Sequence, residues 1–355
     1  MTIHFVVENP NKQQNPYVKT LIEGLYANDR NCIISYGINI FEERDWSACD
    51  IVHIMWPDWI VFSHPMDSIK ELSNRLDYLK SKGCKLVCTC HNLQSHYLDT
   101  PLLNQAYEET YKRCDGIIHL GNYSKRLLAS QYPNIVHVVI SHHVYDTLYQ
   151  TFPSKEESTK HLKLDFNRKY VVCCGAVRDE KERMLLKKLS RSLEKEHISL
   201  LVPSFSIVNR RCGVYKFIRS YLKFLVLKLL YPHIINRGTY IEDEEIPYYY
   251  GCADVALIHR LETLNSGNVP LGLWMGKVIV GPNVGNVGEI LQNSGNLVFD
   301  TNDVTSISKK VIDGFTLYKE GLGKKNHEYA QNTMSSLMIA SQHLSYYKSI
   351  INLNR

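Results

Sequence analysis

The sequence predicts an α/β protein made of two successive halves, each a parallel, doubly wound sheet with helices on both faces. Three observations carry this. Short apolar runs alternate with longer segments of helical period from Ile3 to Ile140, and strands covered on both faces read as continuous apolar runs. The alternation stops in a polar stretch around 151–167, with the charge run Lys155-Glu156-Glu157, which suits an interdomain linker, and restarts at Tyr170. A chain of 355 residues also exceeds one comfortable core, so domains of roughly 100–200 residues are expected. The expected division is 1–160, 161–330 and a C-terminal helix, 331–355, packing back toward the first half.

In the first half, Ile3–Val7 is a strand followed by the polar loop Glu8–Pro16. That loop has no G-x-G-x-x-G, so a dinucleotide-binding start of that type is not expected. Val18, Leu21, Ile22 and Leu25 give a helical stripe over 17–27, and 32–36 is the second strand. Asp50–Trp56 is a strand with Pro57-Asp58-Trp59 in a loop at its carboxyl end. A helix over 66–82 runs to Gly83, a plausible C′ glycine. Lys85–Cys90 is a strand ending in His91-Asn92, and a helix then runs to Cys114. Gly116–Leu120 is the next strand, Ser124 the expected cap of a helix over 125–131, and Val136–Ile140 a strand ending in His142, His143 and Tyr145.

In the second half, Tyr170–Cys174 is a strand, Gly175–Lys181 a loop and Glu182–Leu193 a helix. Ile198–Val202 and Asp254–His259 are further strands. Ser266 reads as an N-cap with Gly267 leaving the first helical N–H groups open to an anion. Lys277-Val-Ile-Val is a strand between Gly276 and Gly281-Pro282. Gly285 and Gly288 permit close backbone approach, and Glu289 offers two acceptor oxygens to a vicinal diol. A phosphate seat and a diol clamp one βα unit apart suit a nucleotide, and an ordinary βα crossover with glycine turns fits equally. Leu297–Phe299 closes the sheet, and helices are expected over 304–315 and 326–351.

Composition is that of an ordinary globular protein, 44% hydrophobic and 22% charged. The N-terminal residues lack a basic region followed by an apolar one, so no signal peptide is expected, and no uncharged apolar run reaches membrane-spanning length. The ten cysteines have neither zinc-knuckle nor redox spacing and are expected reduced and buried. Net charge is +5, unevenly placed: from His197 to Ile241 there is no Asp or Glu, while Arg210, Arg211, Lys216, Arg219, Lys223, Lys228 and Arg237 are all cationic. Within 210–231 the apolar residues fall at helical spacing. Two readings stand: a helix packing its stripe on the sheet, or a face resting on an anionic membrane surface. Nucleic acid is not expected as a partner, and fifteen scattered histidines give no metal site.

Over nearly its whole length this pattern resembles the GT-B fold glycosyltransferases, most nearly glycosyltransferase family 4, and more loosely the exopolysaccharide β-mannosyltransferases. Five stretches carry the likeness: Cys90-His91-Asn92, Cys114–Ser124, Gly175-Ala-Val-Arg178-Asp-Glu-Lys181, Ala253–Ile258 with Ser266-Gly267, and Gly285-Asn-Val-Gly-Glu289. The resemblance implies two domains facing a cleft, with the acceptor side first and the donor side second. It implies transfer of a sugar from a UDP- or GDP-sugar to a lipid-linked or polysaccharide acceptor in capsular or other surface polysaccharide synthesis. The expected location is cytoplasmic, peripheral on the inner face of the membrane. A nucleotide-sugar 2-epimerase of the same fold and an inactive nucleotide-binding or scaffold module are the alternatives.

The resemblance assigns the diphosphate to Arg178 and Lys181 with the backbone at Ser266, Gly267 and Asn268, and the ribose to Glu289. It puts His91 against the transferred sugar, with His96 or Asp99 as general base if the enzyme inverts. The chain contains no Asp-x-Asp, so neither metal nor cofactor is expected. Thr263 and Leu271 stand where retaining family-4 enzymes carry paired glutamates, which leaves the stereochemical course open.

Overall fold

A computed structural model describes residues 1–12, 15–95, 101–209 and 213–353. His96 and Asp99, the two candidate bases, and Arg210 and Arg211 lie outside the described residues. The chain divides into two units, Met1–Tyr145 with Thr333–Arg355, and Asp146–Asn332.

The first unit contains β1 (Thr2–Val6), α1 (Tyr17–Asn28), β2 (Ile33–Tyr36), β3 (Ile51–Ile54), α2 (Pro57–Ser63), α3 (Ile69–Ser81), β4 (Lys85–Cys90), α4 (Pro101–Arg113), β5 (Gly116–His119), α5 (Asn122–Gln131) and β6 (Val136–Val139). The strands pair in the order β2-β1-β3-β4-β5-β6, every pairing parallel. The order reverses between β1 and β3, and loops at the carboxyl ends there are where open α/β sheets bind ligands.

The second unit contains α6 (Lys155–Leu162), β7 (Lys169–Val172), α7 (Glu180–Leu193), β8 (Ile198–Leu201), α8 (Val214–Leu230), β9 (Ile234–Ile235), α9 (Ile246–Cys252), β10 (Val255–Leu257), α10 (Asn268–Trp274), β11 (Val278–Pro282), α11 (Gly285–Asn293), β12 (Leu297–Phe299), α12 (Val304–Lys319) and α13 (Leu322–Thr333). Its sheet is again all parallel, in the order β12-β11-β10-β7-β8-β9, with the reversal between β7 and β10. The final helix, α14 (Ser336–Asn352), belongs to the first unit. Tyr347 Oη reaches His53 Nδ1 on β3 at 2.6 Å, and Tyr346 Oη donates to the Val136 carbonyl at 2.6 Å.

Several details differ from the sequence reading, among them the loop expected over Gly175–Lys181, which ends at Asp179 because α7 begins at Glu180. The linker stretch contains α6, started by a capping box in which Ser154 and Glu157 satisfy each other's backbone N–H, and residues 146–160 pack with the second unit. Pro57-Asp58-Trp59 is not a loop but the first turn of α2, with Pro57 at a position where no N–H is needed. Ser124 does not cap α5; Gly121 holds that position, and Ser124 is buried inside the helix, donating to the Gly121 carbonyl. The single C-terminal helix is two, because Ser335 accepts from the Met338 N–H and starts α14 afresh. All nine described cysteines are free and buried.

Candidate functional site

The residues assigned to the donor side lie around the strand reversal of the second unit. After β7 the chain turns through Gly175 at φ +97°, a conformation that favours glycine, and a Cβ there would press on Asn268 Nδ2 at 3.3 Å. Asn268 Nδ2 donates to the Cys174 carbonyl at 2.8 Å, which ties the start of α10 to the end of β7. Gly267, not Ser266, is the N-cap of α10, and no side chain caps it. Ser266 therefore lies one residue outside the predicted capping position.

Glu182 organises the loop that bears Arg178. One carboxylate oxygen accepts the Arg178 backbone N–H at 2.8 Å, and the other takes Arg260 Nη1 at 2.7 Å. Arg260 Nη2 donates to the Ala176 carbonyl at 3.1 Å. Burial pushes the Glu182 carboxyl up, with the Arg178 N–H and the Arg260 charge pulling it back. Burial and then the Arg178 charge lower the Arg260 guanidinium, so two cations crowd one small region. Lys181, by contrast, is 74% exposed and meets the equally exposed Glu262 at 3.1 Å, a weak, solvent-screened pair.

His259 follows β10 beside these cations. It is 3% exposed, and neither ring nitrogen has a hydrogen-bond partner. Burial, then Arg260, lowers its pKa to about 4. The Ala176 carbonyl acts on the ring in the opposite sense to burial and partly offsets the fall.

The turn before α11 is held by a backbone contact only glycine permits. Gly285 has φ +55°, and a Cβ there would lie 2.7 Å from the Thr263 carbonyl and 2.8 Å from that of Leu264. The Asn286 N–H donates to Leu264 O at 2.9 Å and Asn286 Nδ2 to Asn265 Oδ1 at 2.8 Å. These contacts fix the start of α11, on which Glu289 is half-buried with Oε2 enclosed. Thr263 donates to the Asn265 carbonyl at 2.6 Å and Leu271 is buried on α10, so neither position offers a carboxylate.

The first unit gathers aromatic and imidazole rings at its own reversal. Tyr17, at the start of α1, meets His91 edge-on at 4.9 Å, His142 at 4.6 Å and stacks on His143 at 4.7 Å. Trp56, at the end of β3, stacks on His91 at 4.6 Å and on Trp59 at 4.5 Å. Burial, with His143 and His343 adding to it, lowers the His91 imidazole to about 3. A ring held neutral donates and accepts hydrogen bonds but is a poor base at neutral pH. His143 turns both nitrogens toward carbonyls, Val144 at 2.8 Å and Tyr17 at 2.9 Å. The Tyr17 hydroxyl is buried, with no hydrogen-bond partner among the described residues.

The loop after His91 is pinned from below. Tyr111 donates to the Asn92 carbonyl at 2.5 Å, and the buried Asp58 accepts from Ser95 at 2.9 Å and Tyr107 at 3.2 Å. Among the described residues no three His, Cys, Asp or Glu side chains gather as metal ligands.

The sequence reading missed Glu182 as an organiser, Arg260, His259 and Tyr17. Arg260 and His259 stood in view at the carboxyl end of the strand predicted at 254–259.

No family model matches the chain, and no curated protein matches its sequence. Solved structures do. Sucrose-phosphate synthase from Thermosynechococcus elongatus superposes with TM-score 0.72 at 13% identity, over 98% of both chains. The Anabaena protein HepE in complex with UDP-glucose gives 0.70 at 12% identity, over 98% of this chain and 100% of that one. A Listeria monocytogenes protein assigned as a UDP-N-acetylglucosamine 2-epimerase gives 0.62 at 12%, over 98% and 95%. The fold is GT-B: two six-stranded parallel sheets with flanking helices.

Proposed function

We propose that the protein is a glycosyltransferase that moves a sugar from a UDP- or GDP-sugar to a lipid-linked or polysaccharide acceptor in surface polysaccharide synthesis. The observation that carries it is the Glu182-organised loop, which holds Arg178 beside Arg260 at the strand reversal of the second unit. In the reaction the bond from the anomeric carbon to the diphosphate oxygen breaks, the acceptor oxygen bonds to that carbon, and the acceptor proton departs. The leaving group carries the developing charge, so fixed cations placed on it lower the barrier.

Arg178 and Arg260 face the diphosphate with Lys181 at the rim, the backbone at Ser266–Asn268 adds N–H donors, and Glu289 takes the ribose hydroxyls. This charge supply needs no metal ion, and activity is expected to survive chelation. In the first unit His91 offers hydrogen bonds to sugar hydroxyls. The neutral His91 is assigned to binding rather than to proton removal. The UDP-glucose complex of HepE, a protein of the same fold, supports a nucleotide sugar as donor.

The test is release of nucleoside diphosphate from a UDP- or GDP-sugar with and without a lipid-linked glycan acceptor. Acceptor-dependent release that survives EDTA is expected. Epimerised sugar with its diphosphate linkage intact would replace the transferase by an epimerase, the activity assigned to the Listeria neighbour.

A further inference from the structure

Helix α8 lies in the second unit with almost its whole surface in water. Along its 17 residues only Leu227 is buried. One narrow stripe holds it down. Ser220 accepts the Asn209 N–H at 3.0 Å, Phe224 rests near Gly238, and Leu227 joins the core under the sheet. These positions follow one another at helical spacing and define the inward face.

The outward face is the unusual one. Tyr215, Ile218, Leu222, Leu225 and Leu229 recur every three or four residues, so they form a second apolar stripe opposite the first. They are 78, 49, 55, 41 and 81% exposed. On the helical wheel Lys216, Arg219 and Lys223 flank this stripe on one side and Lys228 on the other, all four exposed. A helix serving only to cover the sheet would turn its broad apolar face inward. Here a broad apolar face points out, flanked by three cations on one side and one on the other.

We propose that α8 is an interfacial helix, seated parallel to an anionic lipid bilayer with its outward stripe among the upper acyl carbons and its cations on lipid phosphates. Charge selects this occupant over a partner helix. A coiled-coil partner is matched by flanking charges of both signs, whereas no Asp or Glu occurs from His197 to Ile241. Lipid phosphate supplies the missing anion across the whole flank. The helix lies on the membrane rather than through it, since no described helix is long and apolar enough to cross one. This surface is independent of the donor site, so its binding stands or falls without reference to catalysis.

The experiment is co-sedimentation of the full chain with phosphatidylcholine vesicles, with and without phosphatidylglycerol. The protein is expected to bind the anionic vesicles, weakly or not at all the neutral ones, and less as salt is raised. Neutralising three cations, Lys216→Gln, Arg219→Gln and Lys223→Gln together, should weaken binding about 100-fold. Leu222→Asn with Leu229→Asn should abolish it, and because both side chains are exposed the melting temperature should not fall. Absence of binding to anionic vesicles overturns the proposal, as does unchanged binding by the triple variant. A dimer that Leu222→Asn with Leu229→Asn dissolves, with no vesicle binding, assigns the stripe to a second copy and also overturns it.

Discussion

Glu182 and Arg260, 78 residues apart in sequence, form a buried ion pair at 2.7 Å, with the Glu182 side chain 2% and the Arg260 side chain 17% exposed. Because the other Glu182 oxygen takes the Arg178 N–H, one carboxylate fixes both the loop after β7 and the residue after His259. Breaking a buried pair from one side leaves a charge without compensation, so Glu182→Ala is expected to cost about 3–5 kcal/mol. Lys181→Ala, which removes an exposed pair, is expected to cost less than about 1 kcal/mol. Urea melts of the two variants check this. Equal midpoints would show that Glu182 does not organise the loop.

Gly285→Ala places a methyl against the carbonyls of Thr263 and Leu264 in a backbone conformation that β-carbons disfavour. A destabilisation of about 2–4 kcal/mol is expected, with weaker nucleotide binding because α11 carries Glu289. Gly321→Ala is the control, since φ there is +91° but nothing lies within 4 Å of the new methyl. A larger loss at Gly321 than at Gly285 would contradict the close-approach explanation.

Tyr17→Phe removes a buried hydroxyl that has no hydrogen-bond partner among the described residues. An unsatisfied buried polar group costs about 1–3 kcal/mol, so this variant should be as stable as the parent or more so. Its transfer rate should stay near that of the parent, because a fully buried hydroxyl does not reach the substrate. A large loss of activity with unchanged stability would show that the hydroxyl does meet the sugar.

Several buried histidines make the fold acid-sensitive. Burial lowers His4 and His343 to about 4 from 6.5, and His119 to about 3. The unfolded chain then binds more protons than the folded one between pH 6.5 and about 4, so stability is full above that window and lost as pH falls through it. A histidine held at pKa 4 costs about 2 kcal/mol at pH 5. His343→Met should flatten the dependence of unfolding free energy on pH by nearly one proton. An unchanged slope would mean that His343 does not titrate in the unfolding transition.

The fold was legible where residues carry local signals. Val278–Val280 is an apolar run between Gly276 and Gly281, and the buried strands β3 (Ile51–Ile54) and β4 (Lys85–Cys90) are likewise short, mainly apolar runs. The helix α6 was not, because its inward positions, Ser158, Thr159 and Leu162, are mostly polar and leave no apolar period; the Ser154–Glu157 capping box was the signal available. The candidate site was half legible. Arg178 and Lys181 stand three residues apart, Lys181 already in the first turn of α7, but Arg260 comes beside Arg178 through folding alone, as does the meeting of Tyr17 with His143, 126 residues away. The outward face of α8 was open between two readings, since spacing shows a stripe but not what covers it.

Nucleotide binding tests the central claim most directly. Thermal unfolding with UDP, GDP and their sugars should show a rise of several degrees with one base at saturating concentration. The rise should be lost in Arg178→Ala with Lys181→Ala, whose own melting point stays near that of the parent. If no uridine or guanosine diphosphate ligand raises the melting temperature, or if the double variant responds as the parent does, the seat beside Arg260 is not a donor site.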